Sequence, residues 1–478
     1  MHWCFWMAVA ASFATGCLSE ATLHARRDAQ ADLSGTPWPS AASRAPAASV
    51  EGSLPSAGAA QRPPDVSESD CSTLARMAIS THPRLRAARA RAAAAIDRAR
   101  AEGFLPAPRA SVEVWGFPIG DPSRANRDGM YMVGVGQQFP AAGERDALSR
   151  ASAEEARAAL ADFSNNARTL WGQASHACID WSAAEIVRER LVAHRTLLGQ
   201  MREAMVARYR AGGESLSIVA RSDAELAAAD RQVADAEEEG HVARETLAAL
   251  LADSADLPAR APRLADARTA PDARTAPNTR TVPNADALMA LALASRGDVT
   301  AMAARDRSAL ARIDAANATA TAPSFDVRAT YMQAPSATPA VGAMVSMTLP
   351  WLWGGGSARV ESAEHERAAV VEERADVERS IRVEVYRALA QVRAFTRSLE
   401  LIERQEIPAA MRAVETEHDA LRSGTFSLPL WIEAMHGLKQ SHVDEARIRG
   451  ALAHARIELE VAVGQPLTGA EEREEGRP

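Results

Sequence analysis

The residues able to do chemistry are few, and they do not converge. The chain of 478 residues holds 11 histidines and 4 cysteines. No His-x-x-x-His pair, no Ser/His/Asp set and no glycine-rich phosphate loop gathers them. His194 falls on the apolar seam of a long helical run and reads as a packed core residue rather than a ligand. No catalytic residue, metal or cofactor is expected, and the chain is not read as an enzyme. Thiol chemistry is what remains. Cys4 and Cys17 lie in an N-terminal apolar run, which leaves Cys71 and Cys178 in the folded part. These two read as buried free thiols, with one disulfide between them as the alternative in an oxidising compartment.

The run MHWCFWMAVAASFATGC is too short to span a bilayer and sits where an export signal sits, so residues 1–17 read as a signal peptide. It ends Ala14-Thr15-Gly16-Cys17, similar to a bacterial lipoprotein cleavage site at which Cys17 would become the acylated first residue. An ordinary cleaved signal is the alternative, since Ala14 replaces a larger aliphatic residue and no Lys or Arg precedes the run. Residues 18–70 are rich in Ala, Ser, Pro and Gly without periodicity and read as a flexible tether. Hydrophobic residues make up 47% but aromatics only 5%, and Lys439 is the only lysine. With a net charge of −8 and arginines interleaved with acids along helical faces, no nucleic-acid partner is expected.

The elements that must position these residues are long rods. From Gly143 to Tyr209 there is no proline, and a helix of that length would run about 100 Å. Phe163, Ala167, Leu170, Ala174, Ala177 and Trp181 are alternately four and three apart, and Val187, Leu191, His194, Leu198, Met201 and Met205 resume the spacing after a phase shift. That is a coiled-coil seam. A second run, Gly356 to Leu421, repeats it with Ile381, Val385, Ala388, Val392, Phe395, Leu399 and Ile402. The chain is a duplicated rod.

Each rod is preceded by a pair of strands. Over about 108–118, Ala110, Val112 and Val114 alternate with Ser111, Glu113 and Trp115; over about 129–139, Tyr131, Val133, Val135 and Phe139 oppose Gly134 and Gly136. The second copy has strands over about 323–333 and 340–350. Phe325, Val327, Ala329 and Tyr331 share one face of the former, and Val341, Ala343, Val345, Met347 and Leu349 one face of the latter. Strands of this length with one apolar face suit a membrane-spanning barrel. Both copies leave the hairpin through a turn, Pro140 to Gly143 and Pro350 to Gly354. Both rods end in aligned turns on Gly212 and Gly424, where glycine supplies a left-handed cap and Ser215 or Ser427 can N-cap a returning helix. The first repeat is placed at 71–260 and the second at 285–467, joined by a connector over 261–284 that contains DARTAP-DARTAP-NTRTVP, with an acidic tail over 468–478.

Four membrane-length strands cannot close a barrel, because open edges in lipid leave backbone groups unsatisfied. The chain must oligomerise; two copies would supply eight strands and three would supply twelve. The duplicated order, the PxxG-like exits and the R-x-G-x-x-S-like rod ends resemble the outer-membrane efflux family, the TolC-like channel proteins, over roughly residues 72–467. The resemblance implies a mainly α fold with a membrane β-barrel: a duplicated helix–β-hairpin–long helix–helix unit forming, as a homotrimer, a 12-stranded barrel in outer-membrane lipid. A periplasmic α-helical barrel would continue it, meeting a periplasmic adaptor and an inner-membrane pump. It also implies adaptor-docking tips at Gly212, Gly213, Ser215, Gly424, Thr425 and Ser427, and a pore aperture at Glu433, with Leu430 where another acid is often found. The competing reading is a periplasmic coiled-coil structural or adaptor protein. That reading has no use for two pairs of alternating strands.

Overall fold

The computed structural model describes residues 70–116, 120, 124, 129–251, 257–264, 284–334, 337–423 and 427–467. The expected signal and Cys17, the tether up to residue 69, most of the connector, Gly424, Thr425 and the acidic tail lie outside the described residues. In chain order the elements are α1 (Cys71–Thr81), α2 (Pro83–Glu102), β1 (Arg109–Trp115), β2 (Met130–Phe139), α3 (Glu144–Arg210) and α4 (Leu216–Leu251). The same order then recurs as α5 (Ala285–Ser295), α6 (Gly297–Thr321), β3 (Phe325–Gln333), β4 (Ala340–Met347), α7 (Gly355–Leu401), α8 (Ile407–Ser423) and α9 (Leu428–Val463). The described residues divide into two compact units, one built from Ala87–Ser164 with Gly297–Glu378, the other from 70–86, Asn165–Arg296 and 379–467.

The first rod is one helix of 67 residues, with Glu144 and Asp146 in its first turn and Arg208 and Arg210 in its last, each sign where the helix dipole favours it. The second is interrupted: between α7 and α8 lies a π turn, Ile402–Glu406, in which the Ile407 N–H donates to the carbonyl of Ile402. Pro408 is the cause. It has no N–H to give, and its ring collides with the carbonyl four residues back; the extra residue of a π turn absorbs the mismatch. An unbroken second rod, as the heptads alone suggest, is therefore corrected.

In the strand-bearing unit, β1–β2–β3–β4 form one antiparallel sheet in sequence order. Val112, Val133, Tyr331 and Val341 make one cross-strand row. Because side chains alternate, this register sets Val112, Val133, Tyr331 and Val341 and their alternate neighbours, among them Val114, Val135, Val327 and Val345, on one face. That face is open: Val112 is 76% exposed, Val133 52% and Val345 66%. On the other face the Arg328 guanidinium meets Glu113 at 3.2 Å across β2. The glycines of β2 make the room, since a Cβ on Gly134 would lie 2.9 Å from the Ser111 hydroxyl and 3.1 Å from that of Thr330. β1 stops at Trp115, where Gly116 turns with φ 70°, and β4 stops short of 350 because Pro350 opens a 3-10 turn. Below the sheet, α3 and α6 approach through Ala158, Ala161, Ala301 and Ala304. Arg305–Asp162, Arg307–Glu154 and Arg150–Asp314 ion pairs flank that seam. Exposed pairs of this kind are worth about 0–1 kcal/mol each, so alanine-to-alanine fit sets the spacing.

In the helical unit the duplication is visible bond for bond. The last residue of α1, Thr81, donates its hydroxyl to the carbonyl of Leu251 at the end of α4 at 2.9 Å. The last residue of α5, Ser295, does the same to Val463 at the end of α9 at 2.6 Å. Each satisfies a carbonyl that the helix itself leaves orphaned. At the second site Gly464 is required twice over: its φ is +87°, and a Cβ there would lie 2.9 Å from Arg296 Cγ. α3 and α9 also run close together, and a Cβ on Gly450 would sit 3.0 Å from that of Ala183. A buried acid, Glu445, is held by Arg449 at 2.7 Å and Arg190 at 3.6 Å, and Arg449 reaches on to Glu403 in the π turn at 2.9 Å.

The reading of Cys71 and Cys178 as free thiols is corrected: they form a disulfide, with Cα atoms 5.6 Å apart and a sequence separation of 107. Only packing of α1 against α3 brings them within the Cα range a disulfide can bridge. Replacing both by serine is expected to lower stability by about 4–5 kcal/mol, the unfolded-chain entropy of a loop that long. Thermal melting of the oxidised protein and of the double variant checks it; equal midpoints would remove the bond from the account of stability.

Candidate functional site

Three places carry the expected functional residues. The first is the exit from sheet to rod. After β2 the chain passes Pro140 and reaches Gly143 at φ +86°, and the Glu144 carboxylate accepts the Ala141 N–H at 3.0 Å. After β4 it passes Pro350 and reaches Gly354 at φ +65°, whose carbonyl accepts the Ser357 hydroxyl at 2.9 Å. Positive φ at both glycines turns an extended strand into a helix within a few residues, a conformation that costs other L-residues. The strands are thereby fastened directly to the rods.

The second place is the rod ends, in the helical unit. Gly212, at φ +76°, donates to the Tyr209 carbonyl at 3.0 Å and Gly213 to that of Arg208 at 2.9 Å. This is a Schellman cap. Arg208 also meets Glu214 at 3.6 Å. The Ser215 hydroxyl lies 2.7 Å from that of Ser217. Ser427 holds the N-cap position of α9, but its side chain makes no capping bond. The expected role of these serines as side-chain caps is thus corrected: the Ser215 hydroxyl pairs with that of Ser217, Ser427 makes no side-chain capping bond, and Pro429 in the first turn of α9 removes a donor that would have needed a partner. Beneath the turns both hairpins share one core: Met201 and Met205 of α3, Ile218 and Leu226 of α4, Val414 of α8, and Leu428, Trp431 and Ile432 of α9. The structure therefore brings Ser215 and Ser427 onto the same end of one packed four-helix cluster. Above this core Leu216 is 62% exposed and Leu430 53%.

The third place is α9 just past the second tip. Glu433 is exposed, next in sequence to the buried pair Trp431 and Ile432, which orients it away from the core. Among the described residues no group of three metal-ligating side chains gathers, and no single helix is long and apolar enough to cross a membrane.

Sequence reading does not find the histidine pairs. His194 is buried as expected, but it faces His436 with ring centroids 6.0 Å apart, and His436 meets Glu225 at 3.1 Å. Burial, with Lys439 and His436 beside it, lowers the His194 pKa to about 4. His176 of α3 stacks on His454 of α9 with centroids 4.7 Å apart, and His454 bonds Asp180 at 2.7 Å. Burial and His454 lower the His176 pKa to about 4. Partners 278 residues apart leave no local signal. The sign of the pH effect follows. From pH 6.5 down to about 4 the unfolded chain binds protons at these positions and the native chain does not, so native stability falls through that window. Melting midpoints across pH 4–7 are expected to drop toward the acid end, less steeply for His194→Leu; parallel curves would refute the assignment.

Residues 288–465 match the family described as outer membrane efflux protein. None of the curated proteins matches the chain. Among solved structures it is similar to the outer-membrane channel OprN, at 19% identity, TM-score 0.68, over 85% of this chain and 94% of that one. It is similar to the outer membrane protein VceC from Vibrio cholerae, at 20% identity, TM-score 0.67, over 83% and 96%. It is also similar to the open state of the Neisseria gonorrhoeae MtrE outer membrane channel, at 20% identity, TM-score 0.67, over 83% and 89%. The fold is that of TolC-like outer-membrane channels, covering both repeats. The family match covers the second repeat alone, residues 288–465, while the likeness in fold extends over both repeats.

Proposed function

We propose that this chain is the outer-membrane channel component of a tripartite efflux or secretion system, passing solutes from an inner-membrane pump across the periplasm and outer membrane. The observation that carries this reading is the four-stranded sheet, with its open apolar face, joined at Gly143 and Gly354 to two long rods. β1 and β4 each have one strand partner among the described residues. Lipid cannot satisfy their outer backbone groups, so the edges require other copies. Three copies give twelve strands, the stoichiometry the family resemblance implies, with the apolar face toward lipid and the Glu113–Arg328 face toward the lumen. The rods of the trimer continue the barrel as a periplasmic helical tunnel. Its tips, at Gly212, Gly213, Ser215, Gly424, Thr425 and Ser427, dock a periplasmic adaptor, and Glu433 lines the aperture. Leu430 supplies no charge there, which makes this aperture less acidic than a doubly acidic one. Cys17 is the acylation site that tethers the chain to the membrane. The adaptor reading explains the rods but gives no role to a membrane-length sheet. Chemical crosslinking of detergent-extracted outer membranes tests the proposal: a ladder ending at trimer is expected, and monomer alone would overturn it.

A further inference from the structure

From residue 379 on, α7 holds the acids Glu384 and Glu400 and the arginines Arg379, Arg382, Arg387, Arg393 and Arg397, and the π turn adds Arg404. At about 100° of rotation per residue, Arg379, Arg382, Arg393, Arg397 and Arg404 fall in one stripe about 38 Å long. All five are exposed, and of the two acids only Glu400 borders them. Among the described residues none of the five has an ion pair, whereas Arg188, Arg195 and Arg202 of α3 each meet a carboxylate of α4, at 3.8, 2.7 and 2.5 Å. In a chain of net charge −8 this unneutralised basic stripe runs against the composition, and no contact within one copy explains it.

The other faces of α7 fix where the stripe points. One side is the buried seam of Ile381, Val385, Val392 and Leu399, which Glu403 extends through its bond to Arg449 of α9. Roughly opposite it Val383, Ala390, Ala394 and Leu401 recur at heptad spacing and are exposed, the row a neighbouring copy covers when a tube closes. Two faces remain between these seams. Glu384 marks the first, paired with Arg296 just past the end of α5. The arginine stripe is the second. Three copies of α1 and α5, each helix about 10 Å across, would plug the bore of a tube, so the α5 side is the outer wall and the arginine side faces inward.

We infer that Arg379, Arg382, Arg393, Arg397 and Arg404 line the lumen and set the channel for anionic solutes, carboxylates and phosphate or sulfate esters. This rests on the channel reading and names its substrate class. A confined bore lined by one sign of charge concentrates ions of the other, and the guanidinium fork matches planar and tetrahedral oxyanions. Glu433 opposes these five with a single carboxylate per copy.

The test places the full-length oligomer in a planar phosphatidylcholine bilayer between dilute and concentrated KCl and reads the reversal potential. The wild-type channel should pass chloride several-fold better than potassium. Arg393→Glu with Arg397→Glu should bring that ratio to one or below, and Arg387→Glu, which lies outside the stripe, should leave it unchanged. A wild-type preference for potassium, or an unchanged ratio in the double variant, overturns the lumen assignment and leaves the channel reading standing. Loss of the trimer in the double variant but not in Arg387→Glu means that the stripe binds the next copy, and that also overturns it. An oligomer that carries no ion current removes the channel reading itself, and the inference with it.

Discussion

Arginine at Ser215 and Ser427 together is expected to abolish solute export while leaving the membrane trimer intact. The structure makes the two outcomes separable, because neither serine side chain caps a helix. Ser215 is exposed, and Ser427 is half-buried at the N-cap of α9, where its carbonyl accepts the first helical bond, from the Trp431 N–H at 3.0 Å. As surface substitutions they should change stability by no more than about 0.5 kcal/mol each. If the tips pack against an adaptor helix, each arginine instead places an unpaired charge in a desolvated contact, a change costing about 2–5 kcal/mol and enough to dissociate the complex. Trimer yield and efflux are measured in the same cells. Normal trimers with normal efflux refute docking at these residues, and loss of trimers would make the turns structural.

Val133→Arg is expected to prevent accumulation of the channel in the outer membrane. Val133 sits in the second of the four strands, between Val112 and Tyr331, on the open apolar face. In water an arginine there would be one more exposed charge. At the middle of a bilayer it costs about 2–4 kcal/mol per copy, and a trimer would carry it three times. Ser346→Arg is the control: it lies on the opposite face, in register with Asp326, and an arginine there gains a partner. Membrane-fraction yield of the two variants decides which face meets lipid. Equal yields would exclude a lipid-facing Val133.

Much of the architecture was legible because it is local and periodic. The seam of Phe163 through Met205 and the alternation of Val112 or Tyr331 are properties of short windows, and 3.6- and 2-residue periods do not depend on what packs against them. Glycine positions carried nearly as much, since Gly143, Gly212 and Gly354 all adopt the positive φ that places a glycine at a cap or sharp turn. The π turn at Ile402–Glu406 also has a local cause in Pro408, although the heptad pattern running through it hides the break.

What the tertiary structure alone decided are relations between distant segments. That Cys71 meets Cys178, that Thr81 and Ser295 close the ends of α4 and α9, and that His176 stacks on His454 all require helices from opposite ends of the chain to lie side by side. The same holds for the serines at the tips: their types suggested capping, but in the folded chain the Ser215 hydroxyl pairs with that of Ser217 and Ser427 makes no side-chain capping bond. Sequence by itself determined the secondary structure, the duplication and the apolar strand faces, since each follows from residue spacing within one element. Pairing, cross-linking and the depressed histidine pKa values depend on which surfaces are desolvated together, and desolvation is a property of the packed chain.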